Sequence, residues 1–138
     1  MVIAPLVGPE VITGSTRMKA GTATKMVLNM LTTIAMIKFG KTYGNLMVDV
    51  QTGSEKLKDR ARRIIVTVTG LTYDEADALL KRAKWTVKAA IVMNRARISY
   101  AQALQRLRGA DDSISEALGE DLRPVLEKLL VKSAPPVD

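Results

Sequence analysis

Three copies of one helix-start pattern divide the middle of this chain into short helices. In each, a serine or threonine is followed three residues later by glutamate or glutamine: Thr52 with Glu55, Thr72 with Glu75, and Ser99 with Gln102. In such a capping box each side chain accepts a hydrogen bond from the backbone N–H of the other residue, which pairs donors that a helix start leaves free. Apolar residues follow each pair at helical spacing, and Thr86 can cap a further helix. The sequence therefore predicts a mainly α-helical chain.

A longer helix is expected before these short ones. Thr13, Ser15 or Thr16 could cap it, and its pattern runs to Phe39, where Gly40 can supply a left-handed ending. Its second half is apolar on nearly all sides, which is typical of a buried helix.

Three further segments are less regular. Residues 41–53 could form a short strand or an irregular crossing, and periodicity does not decide between them. Asp112 or Ser113 can start a weaker helix that ends at Leu118. Residues 120–138 are expected to form a terminal helix and a proline-rich tail.

Composition excludes several kinds of chemistry. The 138 residues suit about one domain and include neither cysteine nor histidine. Disulfides, thiol nucleophiles, Ser-His-Asp triads and zinc sites built from cysteine or histidine are therefore excluded, and no metal site is expected. The longest apolar stretch, Met26 to Ile37, is too short to span a bilayer, and no secretory signal pattern is present. We expect a cytoplasmic protein that has no membrane partner.

Positive charge is concentrated in the middle of the chain. Residues 54–109 carry thirteen basic and five acidic side chains, whereas the whole chain has a net charge of +7. This block could be a nucleic-acid face, but it lacks a set of aromatic side chains for stacking, and its charges fall mostly on the solvent sides of helices. A solvated or interdomain face is the favoured interpretation, with no nucleic-acid partner.

The segment from Gly8 to Lys25 has the features of an anion site. A helix N-terminus offers unpaired N–H groups and the positive end of the helix dipole, and a glycine before it lets a ligand approach the backbone closely. Hydroxyls add donors, while Arg17 offers a planar fork and Lys19 a point charge, both suited to phosphate. The candidate binding residues are Glu10, Thr13, Gly14, Ser15, Thr16, Arg17 and Lys19.

Each of these residues also has a purely structural interpretation. The hydroxyl residues could merely cap the helix, Gly14 could merely make the turn, and Arg17 and Lys19 could face solvent. Glu10 could be a surface loop carboxylate, or it could bind sugar hydroxyls or transfer a proton, which would need a shifted pKa.

The same segment resembles the signature shared by bacterial N-acetylmuramic acid 6-phosphate etherases and the glucokinase regulatory protein. The residues that carry the resemblance are Gly8-Pro9-Glu10, Gly14-Ser15-Thr16-Arg17-Met18-Lys19, Gly21-Thr22-Ala23 and Lys25. Residues 41–50 and Asn94 are similar to the etherase branch, and the likeness covers about residues 5–119.

The resemblance implies an enzyme of cell-wall recycling. Such an etherase is a lyase that removes the D-lactyl ether of N-acetylmuramic acid 6-phosphate, giving N-acetylglucosamine 6-phosphate and D-lactate. In that family the catalytic domain has a sugar-isomerase (SIS) fold, a parallel sheet flanked by helices, and it acts as a homodimer without metal or nucleotide cofactor. The implied partner is an amino-sugar 6-phosphate.

The resemblance also implies roles for particular residues. Ser15, Thr16, Arg17 and Lys19 would belong to the sugar-phosphate site at the start of the last long helix of the SIS domain, and Glu10 would lie near the sugar. The family's acid and base glutamates belong to the half that precedes this segment. This chain alone is therefore expected to contain no catalytic residue and to be inactive.

The implied architecture is the last helix of an α/β SIS domain followed by a small helical bundle. Residues 1–53 would complete the SIS domain, residues 54–119 would form a domain resembling ubiquitin-associated modules, and residues 120–138 would follow it. Trp85, the one tryptophan, is expected to pack in a core or domain contact.

Two other functions remain open at this point. One is a regulatory relative that senses sugar phosphates without catalysis. The other is a basic helical adaptor that binds nucleic acid or protein, whose binding would fall steeply with salt.

Overall fold

The computed structural model describes residues 2–120, and this part of the chain is mainly α-helical, as predicted. The predicted terminal helix and tail, beyond residue 120, lie outside the described residues. The elements are α1 Lys19–Lys38, β1 Thr42–Tyr43, β2 Leu46–Met47, α2 Glu55–Thr69, α3 Tyr73–Arg82, α4 Val87–Ala96, α5 Tyr100–Gly109 and α6 Ile114–Leu118.

The described residues form two compact units. One extends to Lys38 and the other begins at Phe39. Contacts thus group residues 39–53 with the short helices, while the domain limits implied by the resemblance, at residues 53 and 119, stay a prediction.

The long helix differs from its prediction at its start and in its burial. It begins at Lys19, later than a cap at Thr13, Ser15 or Thr16 would require, so that predicted cap is wrong. It ends as predicted, because Gly40 has a φ of +62°. None of its residues is buried, contrary to expectation. The reason is physical: burial needs a facing apolar surface, and residues 2–38 contain no second helix or strand to supply one.

Residues 41–53 contain a short hairpin, which answers the question that periodicity left open. β1 and β2 pair antiparallel, with Thr42 opposite Met47 and Tyr43 opposite Leu46. Val48, the next residue, is 1% exposed and belongs to the core of the second unit.

The predicted helix starts are confirmed at α3 and α5 and wrong at α2. Thr72 and Ser99 form both bonds of their capping boxes. α2 starts after Ser54 rather than Thr52, and the Ser54 hydroxyl accepts the N–H of Leu57 at 3.3 Å. The box at Thr52 does not form because Glu55 lies at the first helical position, whereas a capping box needs its glutamate at the third.

Two other starts also follow the sequence. Thr86 precedes α4, although its side chain makes no capping hydrogen bond. Ser113 caps α6 by accepting the N–H of Glu116 at 3.4 Å, as the sequence allowed.

The core of the second unit is centred on α4, whose residues 87–93 are all buried. α4 contacts α2, α3, α5 and α6, so four amphipathic helices cover it from different sides. Trp85 is half-buried and packs against this core, which confirms its prediction. In the part of the chain that the structure describes, no helix is both long enough and apolar enough to cross a membrane.

Candidate functional site

The candidate binding residues lie in the loop and turns that precede α1. Gly8 and Gly14 have φ values of +68° and +82°, in the left-handed region that favours glycine. Two tight backbone turns lie just before α1. The N–H of Ser15 bonds to the carbonyl of Ile12 at 3.0 Å, and the N–H of Thr16 bonds to that of Gly14 at 2.9 Å. These turns fold the loop back so that Glu10 reaches the start of the helix.

The Glu10 carboxylate caps α1. Its two oxygens accept the backbone N–H groups of Lys19 and Ala20, each at 3.0 Å. These hydrogen bonds, the one from Ala20 first, hold the pKa of Glu10 below its ordinary value. A general base works best with a pKa near the working pH, and this change is in the opposite direction. Glu10 is therefore a weak base in this structure.

The other amides at the start of α1 are also paired. Gly21 N–H bonds to the carbonyl of Thr16 at 2.8 Å, and Thr22 N–H to that of Met18 at 3.0 Å. The four N–H groups of residues 19–22 thus all have partners in the chain. The expectation that this helix start offers free amides to an anion is wrong here, because the chain's own carboxylate and carbonyls use them.

Most residues of the turn are exposed to solvent. The ammonium of Lys19 donates to the carbonyl of Pro9 at 2.8 Å. Arg17 is exposed, and Ser15 is half-buried. Thr13 and Thr16 are exposed as well. That the Arg17 guanidinium and these hydroxyls bind an anion together stays a prediction.

The loop and turns before α1, which we call the corner, have apolar surroundings that the sequence analysis did not predict. A shallow hollow of about 630 Å³ lies beside Lys19. It is lined by Val7, Met18, Lys19, Thr22, Ala23 and Met26. Spacing three and four residues apart on α1 is the signal that could have grouped the helical members of this lining. Val7 comes from outside the helix, and no periodicity predicts its position.

Residues 2–120 contain no group of three acidic side chains that could hold a metal ion. The positive groups of the corner and its single carboxylate suit an anionic organic ligand better than a cation.

Comparison with known proteins identifies relatives that match most of the chain. The N-acetylmuramic acid 6-phosphate etherase of Rhodopirellula baltica is 52% identical over 118 residues, which is 86% of this chain and 39% of the relative. The chain is related to these etherases. The etherase of Salinibacter ruber is 51% identical over 119 residues, covering 86% of this chain and 38% of the relative.

The similarity to the etherases confirms the resemblance predicted from residues 8–25. The etherase of Geobacillus thermodenitrificans is 52% identical over 111 residues, 80% of this chain. The chain spans about two fifths of the length of the etherases it matches. No family model matches it.

Proposed function

We propose that this chain supplies the phosphate-binding corner of an N-acetylmuramic acid 6-phosphate etherase. The enzyme is a carbon–oxygen lyase of cell-wall recycling, and its products are N-acetylglucosamine 6-phosphate and D-lactate. The observation that carries the proposal is the guanidinium and the hydroxyls of residues 13–17, all exposed except half-buried Ser15, in a chain about half identical to such etherases.

The chemistry of the turn suits a phosphoryl group. The Arg17 guanidinium can donate two parallel hydrogen bonds to phosphate oxygens, and such charge-assisted bonds are stronger than neutral ones. Hydroxyls of Ser15 and Thr16 can donate to the remaining oxygens. A phosphate held in this way fixes the sugar ring, so that its reacting carbon faces the groups that move protons.

The reaction itself needs groups that this corner does not provide. A base takes the proton from C2, the C3–O bond breaks, and lactate leaves with the electron pair. Water then adds across the new double bond. Glu10 is poorly suited to be that base, because its oxygens hold two amides and its pKa is lowered. The proposal therefore assigns the proton transfers to carboxylates in the part of the enzyme that this chain does not span.

The proposal includes a homodimer in the cytoplasm. α1 exposes large apolar side chains, among them Met26, Leu28, Ile34 and Ile37, and a face of this kind is usually covered by another protein surface. The absence of cysteine fits a reducing compartment. The elimination and the addition of water, as described above, need neither a metal nor a nucleotide.

The experiment is an assay of D-lactate release from N-acetylmuramic acid 6-phosphate. The chain is joined to the part of the Rhodopirellula baltica etherase that it does not match, and the joined protein is compared with the 138-residue chain. The joined protein should release D-lactate, and the 138-residue chain should not. Lactate release by the 138-residue chain would show that the catalytic groups have been misplaced.

A pair of variants tests the corner in the same assay. Arg17→Ala in the joined protein should lower kcat/KM by roughly 10- to 100-fold, the effect of losing one charge-assisted hydrogen-bond pair. Lys38→Ala removes one exposed positive charge from the last turn of α1 and serves as the matched control, since it should leave kcat/KM unchanged. Equal rates for the two variants would rule out a phosphate contact at Arg17.

A further inference from the structure

Three contacts close the loop around the candidate phosphate corner. The Glu10 carboxylate bonds the amides of Lys19 and Ala20, and the Lys19 ammonium bonds the carbonyl of Pro9. Residues 9 and 10 are thereby tied to the first turn of α1. The residues between them are held by their own backbone bonds, including Met18 N–H to the carbonyl of Ser15 at 3.1 Å.

The position of the Glu10 carboxylate is the one that a ligand anion would otherwise occupy. Helix starts attract phosphate because their amides are free and their dipole is positive. Here a negative group of the chain itself bonds the first two amides, and carbonyls bond the next two. A ligand phosphate must therefore either displace Glu10 or bind beside it.

We propose that Glu10 is a positioning residue, an internal anion that fills the start of α1 and stays there when the sugar phosphate binds to residues 13–17. The inference rests on the proposed function. It assigns the ligand's phosphoryl group to the side chains of the turn and not to the helix amides. It also assigns Glu10 a role other than proton transfer.

Two physical arguments favour binding beside Glu10. Displacement would break two charge-assisted bonds and release a carboxylate next to a doubly negative phosphate, where like charges repel. Binding beside it keeps these bonds, and the two positive charges of Arg17 and Lys19 outnumber the one negative charge of Glu10. The lowered pKa of Glu10 is consistent with a carboxylate that is ionised and held.

The variants follow from the hydrogen-bond pattern. Glu10→Gln keeps the size of the side chain but replaces one acceptor oxygen by an NH₂ group, which cannot accept an amide N–H. Glu10→Asp keeps the charge on a side chain shorter by one methylene. Glu116→Gln, at an exposed position on α6, is the matched control for loss of a glutamate charge.

Amide hydrogen exchange of the full 138-residue chain tests the cap without any ligand. The amides of Lys19 and Ala20 should exchange several-fold faster in Glu10→Gln than in the wild type. Glu10→Asp should lie between them, and Glu116→Gln should match the wild type. Equal exchange in the wild type and Glu10→Gln would overturn the inference.

The second measurement adds N-acetylglucosamine 6-phosphate to the same samples. In the wild type the amide signals of residues 13–17 should shift, while Lys19 and Ala20 keep their slow exchange. Loss of that slow exchange at saturation would mean that the ligand displaces Glu10, and the inference would be wrong. If no signal shifts at all, the proposed function fails, whereas the exchange comparison still decides whether Glu10 holds the helix start.

Discussion

The ammonium nitrogen of Lys88 lies 3.1 Å from the carbonyl oxygen of Asp112 and 3.3 Å from its carboxylate. Lys88 is only 5% exposed, so this contact ties α4 to the turn before α6 from inside the fold. Lys88→Met keeps the length and the apolar stem of the side chain but removes the donor. It should lower the free energy of unfolding by about 1 to 2 kcal/mol, because the hydrogen bond from this charged donor to the Asp112 carbonyl is lost.

Asp112→Asn is the control for this contact. The carbonyl acceptor remains, and asparagine tolerates the φ of +63° that Asp112 adopts. We expect a change within about 0.5 kcal/mol. Urea unfolding followed by the fluorescence of Trp85 measures both variants. A loss in Asp112→Asn as large as that in Lys88→Met would contradict the assignment to the backbone carbonyl.

Gly40 should tolerate no side chain. A Cβ there would lie 2.7 Å from the carbonyl oxygen of Asp112, and its φ is +62°. Gly70 has a similar φ of +73°, but a Cβ there would meet nothing within 4 Å. Gly70→Ala should therefore lower the free energy of unfolding only by the cost of placing alanine at a left-handed φ, about 1 to 2 kcal/mol. Gly40→Ala should lower the free energy of unfolding clearly more in the same urea experiment. Equal losses in the two variants would show that the backbone near Asp112 moves aside for the new Cβ without strain.

Helix capping gives a second matched comparison. Thr72→Ala removes a side chain that accepts the N–H of Glu75, and Ser99→Ala removes the equivalent acceptor for Gln102. Each should cost about 1 kcal/mol in thermal or urea unfolding. Thr86→Ala should cost less, since Thr86 makes no capping hydrogen bond. A larger loss in Thr86→Ala than in Thr72→Ala would contradict the observed caps.

Acid should destabilise the helical unit. A hydrogen bond from Lys81, and then one from Arg62, lowers the pKa of Asp77, while a backbone hydrogen bond from Thr72 lowers that of Glu75. Groups with a lowered folded pKa bind fewer protons in the folded state. Their contribution to stability is complete above the ordinary values of 3.8 and 4.5 and is lost as the pH falls through the folded pKa.

The measurement is the urea midpoint between pH 7 and pH 2. The urea midpoint should decrease once the pH is below about 4.5. It should decrease less steeply in Asp77→Asn, which removes one of the titrating groups. A midpoint that is constant or rises towards low pH would mean that these carboxylates are not held in the folded state.

Local patterns predicted the helical unit well because their evidence lies within one helical turn. The boxes at Thr72 and Ser99 need only residues three apart, and both form. Two possible caps that are two residues apart compete at α2, where Ser54 caps the helix instead of Thr52. Sequence spacing alone does not rank such neighbours.

The candidate site was harder to predict because its decisive contact is not local. Glu10 lies nine residues before Lys19, outside any capping motif of residues three or four apart. The sequence singled out both residues as members of an anion site, but it did not indicate that they bind each other. The predicted burial of α1 was also wrong. An apolar helix sequence shows that the helix can pack against another surface, but it does not show whether such a surface is present.

If the turn before α1 binds a phosphoryl group, phosphorus-31 NMR of N-acetylglucosamine 6-phosphate will detect the binding. Added wild-type chain should shift or broaden the phosphorus signal in a saturable way, Lys38→Ala should do the same, and Arg17→Ala should not. A signal that responds equally to the wild type and to Arg17→Ala would contradict the claim.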